Sequence, residues 1–433
     1  MRAAGGVFAP GHLGELTRIV PFEMVDAVLA ECVKSERRVR LLPARVVMYL
    51  LLAAGLFADL GWNLVWDKLV WALPGSPRPS GAALYYARRR LGPEPVRRLF
   101  GLLAGPGTSA ARWRGLLVCA FDGTELEVPD SAANRAAYGL HGHGASQAGY
   151  PHLRLVALVA CGTRAVLNAA FGPTTRTERD LAADLFASLR EGMLVLLDRG
   201  FPAAAWLADL HDTNADFLAR IPAHWRPKTI TRLEDGTRLV LIGGRKLRLI
   251  EAEITIATTE GRRTGAYRLA TTLLDARRYT ALELIELYHQ RWEIETAYAE
   301  LKSGLLDRRV LRSTDPAGLT QEVWALLVLY QALRGCIDDA VTGEEIGPLQ
   351  TSFTLARETA RNQVIAAQNL FDDEQIDLKG RIGAELIARP LPERGLRTAP
   401  RAIKRAISKH RAKGTVTRRT YKATLEIALI NSP

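Results

Sequence analysis

Four polar residues in one short run, "YHQRWEIETAYAELK" at 288–302, have types and spacing that could do chemistry together. At about 100° per residue in an α-helix, with Tyr288 at zero, Arg291 lies at roughly −60°, Glu295 at roughly −20° and Lys302 at roughly −40°. The four share an arc of about 60°, whereas Glu293 and Glu300 point about 120–140° away, which singles out Glu295. Grouped in this way, the four could be aimed at one substrate. A solvated helix face collects the same residue types and is the alternative. The catalytic reading therefore requires further acids elsewhere in the chain. Two aspartates meet that requirement, Asp122 in "CAFDGT" and Asp198 in "LLDRGF", each read as the C-terminal end of an apolar strand. Either could simply close its strand, because Asp-Gly and Asp-Arg-Gly are good turn sequences.

The elements that must position these residues have a recognisable order. Residues 1–112 read as helices, among them "ARVVMYLLLAAGLFADL" and "AALYYARRRLG", the latter starting after Pro79 and Ser80 and ending in Arg88, Arg89 and Arg90 before Gly92. From Trp113 the pattern turns to strands: "LLVCAFDG", "HLRLVALVAC" and "AVLNAAFGP", then alternating helix and strand through "MLVLLD" and "ADFLARI". That order resembles the ribonuclease-H-like α/β fold, with a β insertion at about 222–271 ahead of the long helix carrying Glu295. In such a sheet the first and fourth strands are parallel neighbours, so Asp122 and Asp198 would stand side by side. Two close carboxylates repel unless a cation sits between them. With Glu295 from a facing helix they form an all-oxygen set suited to Mg²⁺ or Mn²⁺. Two such ions about 3.5–4 Å apart can stabilise the entering and the leaving oxygen of a phosphodiester displacement.

Composition narrows the partners. The chain of 433 residues carries 58 Lys and Arg against 46 acids, a net charge of +12. Eleven basic residues and no acid lie between Arg394 and Lys422, which leaves about +1 for the rest. Charge concentrated in this way points to nucleic acid, with a solubilising tail as the alternative. No N-terminal segment has signal-peptide order, and the longest apolar run, Val46 to Phe57, is too short to span a bilayer. The four cysteines lie far apart with no zinc spacing, and no phosphate-cradling or nucleophile-elbow motif occurs.

"DGT", "DRGF" and the Y-x2-R-x3-E-x6-K pattern of Tyr288, Arg291, Glu295 and Lys302 resemble the DDE transposases of the insertion-element-four group. The resemblance implies a helical DNA-end-binding domain at 1–112 and a catalytic domain at 113–345. A C-terminal helical region would follow at 346–433, with a basic tail at 394–422 that the family pattern does not match. It implies cut-and-paste transposition: Asp122, Asp198 and Glu295 hold two divalent ions, a freed 3′-hydroxyl attacks the opposite strand to form a hairpin end, and joining to target DNA follows. Tyr288, Arg291 and Lys302 would grip phosphates. Trp292 would border the DNA or pack in the core, and Tyr267 would stack on a flipped base. Its partners would be duplex DNA and a second copy of the chain assembled on it, in the cytoplasm at the nucleoid and away from membranes. A DNA-binding protein without activity and a nuclease without strand transfer are the competing readings. The intact acid triad argues against the first.

Overall fold

Residues 12–34, 40–71, 78–140, 149–258, 261–366, 380–392 and 424–430 are described by the computed structural model. Six helices open the chain: α1 (Leu16–Ile19), α2 (Phe22–Glu31), α3 (Ala44–Leu56), α4 (Trp62–Leu69), α5 (Gly81–Leu91) and α6 (Glu94–Leu103). The apolar run read as too short for a membrane is α3, buried along nearly its whole length; among the described residues no helix is long and apolar enough to cross a membrane. Helix α5 begins and ends where its sequence signals lie. Ser80 accepts a hydrogen bond from the Ala83 N–H, 3.1 Å, and Gly92 closes the helix at φ 72°.

A mixed sheet follows: β1 (Arg112–Trp113), β2 (Leu116–Glu127), β3 (His152–Ala160), β4 (Val166–Pro173), β5 (Met193–Leu197) and β6 (Asp216–Arg220). It continues through β7 (Lys228–Arg232), β8 (Arg238–Ile242), β9 (Arg245–Thr258) and β10 (Gly261–Thr271). The main path runs β4-β3-β2-β5-β6-β10-β9-β8-β7. Strands β2, β3 and β4 are antiparallel neighbours, and β5 lies parallel to both β2 and β6. The insertion is no separate module, because β10 returns to pair with β6 and prolongs the same sheet. Helices α7 (Ala132–Tyr138), α8 (Glu178–Ala183) and α9 (Ala204–His211) lie between the strands. Then come α10 (Ala281–Tyr288), α11 (Trp292–Ala299), α12 (Pro316–Val341), α13 (Phe353–Ala366) and α14 (Gly380–Ala388).

Strand alternation sorts the core into two layers. Leu117, Cys119 and Phe121 of β2 join Met193, Val195 and Leu197 of β5 on the face covered by α8 and α9. Val118, Ala120, Leu194 and Leu196 join the opposite layer, which is continuous with α3, α6, α11 and α12. With a period of two, Asp122 and Asp198 therefore fall on the second face, the one that carries α11.

Three expectations need correction. Strand β2 does not end at Asp122: it runs on to Glu127, paired with β3 through Glu127↔His152. What ends there is the parallel partner, since β5 stops at Leu197. The helix carrying the quartet is also not continuous. A 3₁₀ turn, His289–Arg291, precedes α11, and a π-helical turn, Glu300–Leu305, follows it. Lastly, the C-terminal region is not helical throughout. Thr424–Leu429 forms β11 on the edge of β9, because "TLEIAL" alternates with a strand period and β9 leaves that edge open. The basic tail at 394–422 lies outside the described residues.

Candidate active site

Asp122, Asp198 and Glu295 line one open cleft of about 740 Å³, together with Arg291, Lys302 and Arg309. The pairing Ala120↔Leu196 between parallel strands sets both aspartates two residues further along, at the same level of the sheet. From the facing side, Ile294, Ala297, Tyr298 and Leu301 bury against the sheet and hold the helix there. Tyr298 makes the junction specific: its hydroxyl donates to the Asp122 carbonyl at 2.5 Å and accepts from the Ala157 N–H at 3.0 Å.

Electrostatics set the character of the cleft. Burial pushes the Asp122 carboxyl up to about 6, and Glu178 and Glu295 add to the rise, against the Gly123 N–H and Arg291. The Gly123 N–H reaches Asp122 Oδ1 at 2.9 Å, and the Arg199 N–H reaches Asp198 Oδ1 at 2.6 Å. Arg291 is buried and pairs with Glu295 at 3.5 Å. Burial works against its charge, but Tyr288, Asp198, Asp122 and Glu295 outweigh that and raise its pKa. Lys302 donates to Thr124 Oγ1 at 3.2 Å; burial lowers its pKa, with Glu125 and Glu127 opposing.

The other residues read from the sequence are distributed differently. Tyr288 does not reach open space: it is buried, and its hydroxyl donates to the Leu197 carbonyl at 3.0 Å, bracing the strand end ahead of Asp198. Trp292 is 42 % exposed, so the core alternative is overturned; the Arg291 guanidinium lies 5.6 Å from its ring centroid. Tyr267 is half-buried on β10 beneath the guanidinium of Arg220, at 4.2 Å, and is not among the residues lining the cleft. Glu293 and Glu300 belong to the other side of the helix. Glu293 accepts from Arg164 at 2.7 Å, and Glu300 accepts from Arg164 at 3.0 Å and from Arg334 and Tyr330.

Two residues were missed by the sequence reading. Tyr298 carried a legible signal, standing one helical turn after Glu295. Glu178, the first residue of α8, is a further carboxylate close to the aspartates, on the face of β2 away from the cleft: a Cβ on Gly123 would meet its Oε1 at 2.3 Å. The glycine of "DGT" therefore lies within a strand, where its missing side chain lets the Glu178 carboxyl approach, rather than in a turn. Burial raises the Glu178 pKa, with Arg154 opposing and Glu125 and Asp198 adding.

Comparison with known proteins shows the family. Residues 10–101 match the insertion element 4 transposase N-terminal model, and residues 113–331 match the transposase DDE domain model. The chain belongs to the insertion-element-four family of transposases. It is 30% identical over 331 residues to transposase InsG for insertion sequence element IS4 of Escherichia coli K12, covering 72% of this chain and 74% of that one. It is 31% identical over 161 residues to the putative transposase InsZ of the same organism, covering 36% and 53%. A piggyBac transposase synaptic complex with hairpin DNA covers 92% of this chain and 88% of its own at 12% identity and a TM-score of 0.44, too loose a likeness to bear on function. As a DDE transposase the chain is an enzyme, and DDE domains generally use divalent metal ions. The donors here are all carboxylate oxygens, the set that hard divalent cations take. As placed, among the described residues, no three metal-ligating side chains stand close enough to enclose an ion, and Arg291 supplies the positive charge beside Glu295.

Proposed function

We propose that this transposase cuts and joins DNA in one cleft by a cut-and-paste route through hairpin ends. The observation that carries the reading is the lining of that cleft by Asp122, Asp198 and Glu295, with Arg291 and Lys302 at the same wall. In this reading the sheet from β4 to β6 is a ribonuclease-H-like core, and the three carboxylates hold two Mg²⁺ or Mn²⁺ ions. Such ions, when bound, polarise the phosphodiester and lower the pKa of attacking water. The chain's own residues do the rest. Tyr288 and Tyr298 fix the backbones on either side of the acids, through Leu197 and Asp122. Lys302 and Arg291 orient the phosphate by charge-assisted bonds, while exposed Trp292 offers an aromatic face to the DNA. Attack by water breaks the bond to the 3′ oxygen and leaves a 3′-hydroxyl. That hydroxyl then displaces an oxygen of the opposite strand, closing a hairpin. The helical N-terminal residues and the basic tail supply DNA affinity, and a second copy of the chain joins on the DNA, at the nucleoid in the cytoplasm.

The test is incubation of the full chain with a duplex carrying its element end, plus Mg²⁺, with products resolved on a denaturing gel. Hairpin-ended products that vanish in Glu295→Gln are expected. Nicks or breaks without hairpins or joining would reduce the enzyme to a nuclease, and hairpins from Glu295→Gln would remove that residue from the site.

A further inference from the structure

Arg88, in the last turn of α5, is 9 % exposed, and its side chain forms no hydrogen bond or ion pair with a described residue. Its guanidinium stacks on Trp62 at 3.7 Å from the ring centroid. It lines a second cavity of about 250 Å³ between α5 and the N-terminus of α12, with Trp62, Tyr85, Arg89, Ser313 and Asp315. Ser313 is also buried there, and its Oγ has no partner. A buried cation and a buried hydroxyl without hydrogen-bond partners among the described residues are both costly, and here both meet one cavity. The 26-residue α12 adds the positive end of its dipole.

The carboxylates of Glu322 and Asp315 favour the Arg88 charge from a distance, but neither bonds to it. Asp315 caps α12 by accepting from the Gly318 N–H at 3.0 Å. Glu322 accepts the backbone N–H groups of Arg312 and Ser313 and pairs with the Arg312 side chain, which also donates to the carbonyls of Ala54, Phe57 and Leu60. Among the described residues Arg89 bonds only the Tyr85 hydroxyl, at 2.7 Å. The cavity therefore presents a forked donor, a hydroxyl and a helix dipole, the chemistry that recognises a phosphate.

We propose that this cavity grips a phosphodiester of the DNA backbone a few steps from the strand cut in the catalytic cleft, an inference that rests on the DNA-cutting reading of that cleft. One chain segment joins the two places. Arg308 and Arg309 line the cleft, Ser313 and Asp315 line the second cavity, and between them the Leu311 N–H donates to the Glu127 carbonyl at 3.1 Å. Four residues from Arg309 to Ser313 span at most about 14 Å, so a strand lying along the cleft passes the second cavity within a few nucleotides. Trp62 holds the guanidinium plane in place, so the fork meets the phosphate already oriented.

The experiment uses the full chain and a duplex carrying the element end, with backbone phosphates ethylated one at a time. Wild type should lose affinity when one phosphate within a few steps of the cut is blocked. Arg88→Gln should bind about tenfold more weakly and be indifferent to that block, with a log–log salt slope shallower by about 1. Arg88→Lys keeps the stem and the charge, guarding against a folding defect; it should retain the slope while binding more weakly than wild type. An Arg88→Gln protein that melts with wild type and keeps both slope and ethylation pattern overturns the site and leaves Arg88 a packing residue. Inorganic phosphate that raises the melting temperature of wild type but not of Arg88→Gln, with the DNA slope unchanged, assigns the cavity to a free anion and overturns it equally. Wild type that neither binds nor cuts the duplex fails at the cleft itself, a different result.

Discussion

The two sides of the helix from Trp292 to Leu305 carry the same residue types toward opposite ends. On one side Glu293 and Glu300 meet Arg164, Arg334 and Tyr330 in a buried, closed network. Burial alone would push the Glu300 carboxyl up, but Arg334 and Arg164 hold it below its ordinary value. On the other side Glu295 shares an open cleft with Asp122 and Asp198, and the Asp122 carboxyl is pushed up rather than down. The difference is counter-charge. A network that pairs every carboxylate stabilises one geometry, whereas in the cleft Arg291 pairs with Glu295, and Asp122 and Asp198 form no ion pair among the described residues.

Swapping the same chemical change between the two sides sharpens that contrast most. Glu295→Gln should lose at least about three orders of magnitude in cleavage, about 4 kcal/mol of barrier, with a melting temperature close to wild type. Glu300→Gln should instead destabilise the fold by about 3–5 kcal/mol, because it strands buried Arg334 and leaves Arg164 with Glu293 alone, as read by denaturant unfolding. Equal losses of stability in both variants would erase the distinction. Lys302→Ala comes next: removing one charge-assisted phosphate contact worth about 1.5–3 kcal/mol should slow cleavage by about one to two orders of magnitude. DNA affinity in a filter-binding assay should fall much less.

The smallest expected effect is a pH-dependent one. Because the folded Asp122 pKa is raised, to about 6 from 3.8, its protonated form favours folding. That contribution is fully present below about pH 4 and is lost as pH rises through about 6. Without metal, Asp122→Asn should therefore melt a few degrees above wild type at pH 7 and level with it at pH 4. Added Mg²⁺ should stabilise wild type at pH 7 and not the variant. A variant that melts below wild type at pH 7 would mean that the Asp122 charge already has its partner in the protein.

Much of the site was legible from the chain. The period-two alternation in "LLVCAFD" and "MLVLLD" carries both aspartates onto one sheet face, and the helical angles separate Glu295 from Glu293 and Glu300. Those are local rules: a side chain's direction follows from backbone geometry that a few neighbouring residues impose. Other features depend on contacts between distant segments. Only the pairing of β2 with β5 brings Asp122 level with Asp198, and only the approach of α8 makes Glu178 a neighbour of Gly123. Tyr288 shows the limit of the angular argument. It shares an arc with Arg291 and Lys302, but the 3₁₀ and π turns break the regular helix, and the Leu197 carbonyl receives its hydroxyl inside the protein. The sequence by itself determined which groups could act and which way each would face. The tertiary structure decided which of them meet water, DNA or one another, because desolvation and counter-charge are set by whatever distant segment covers a face.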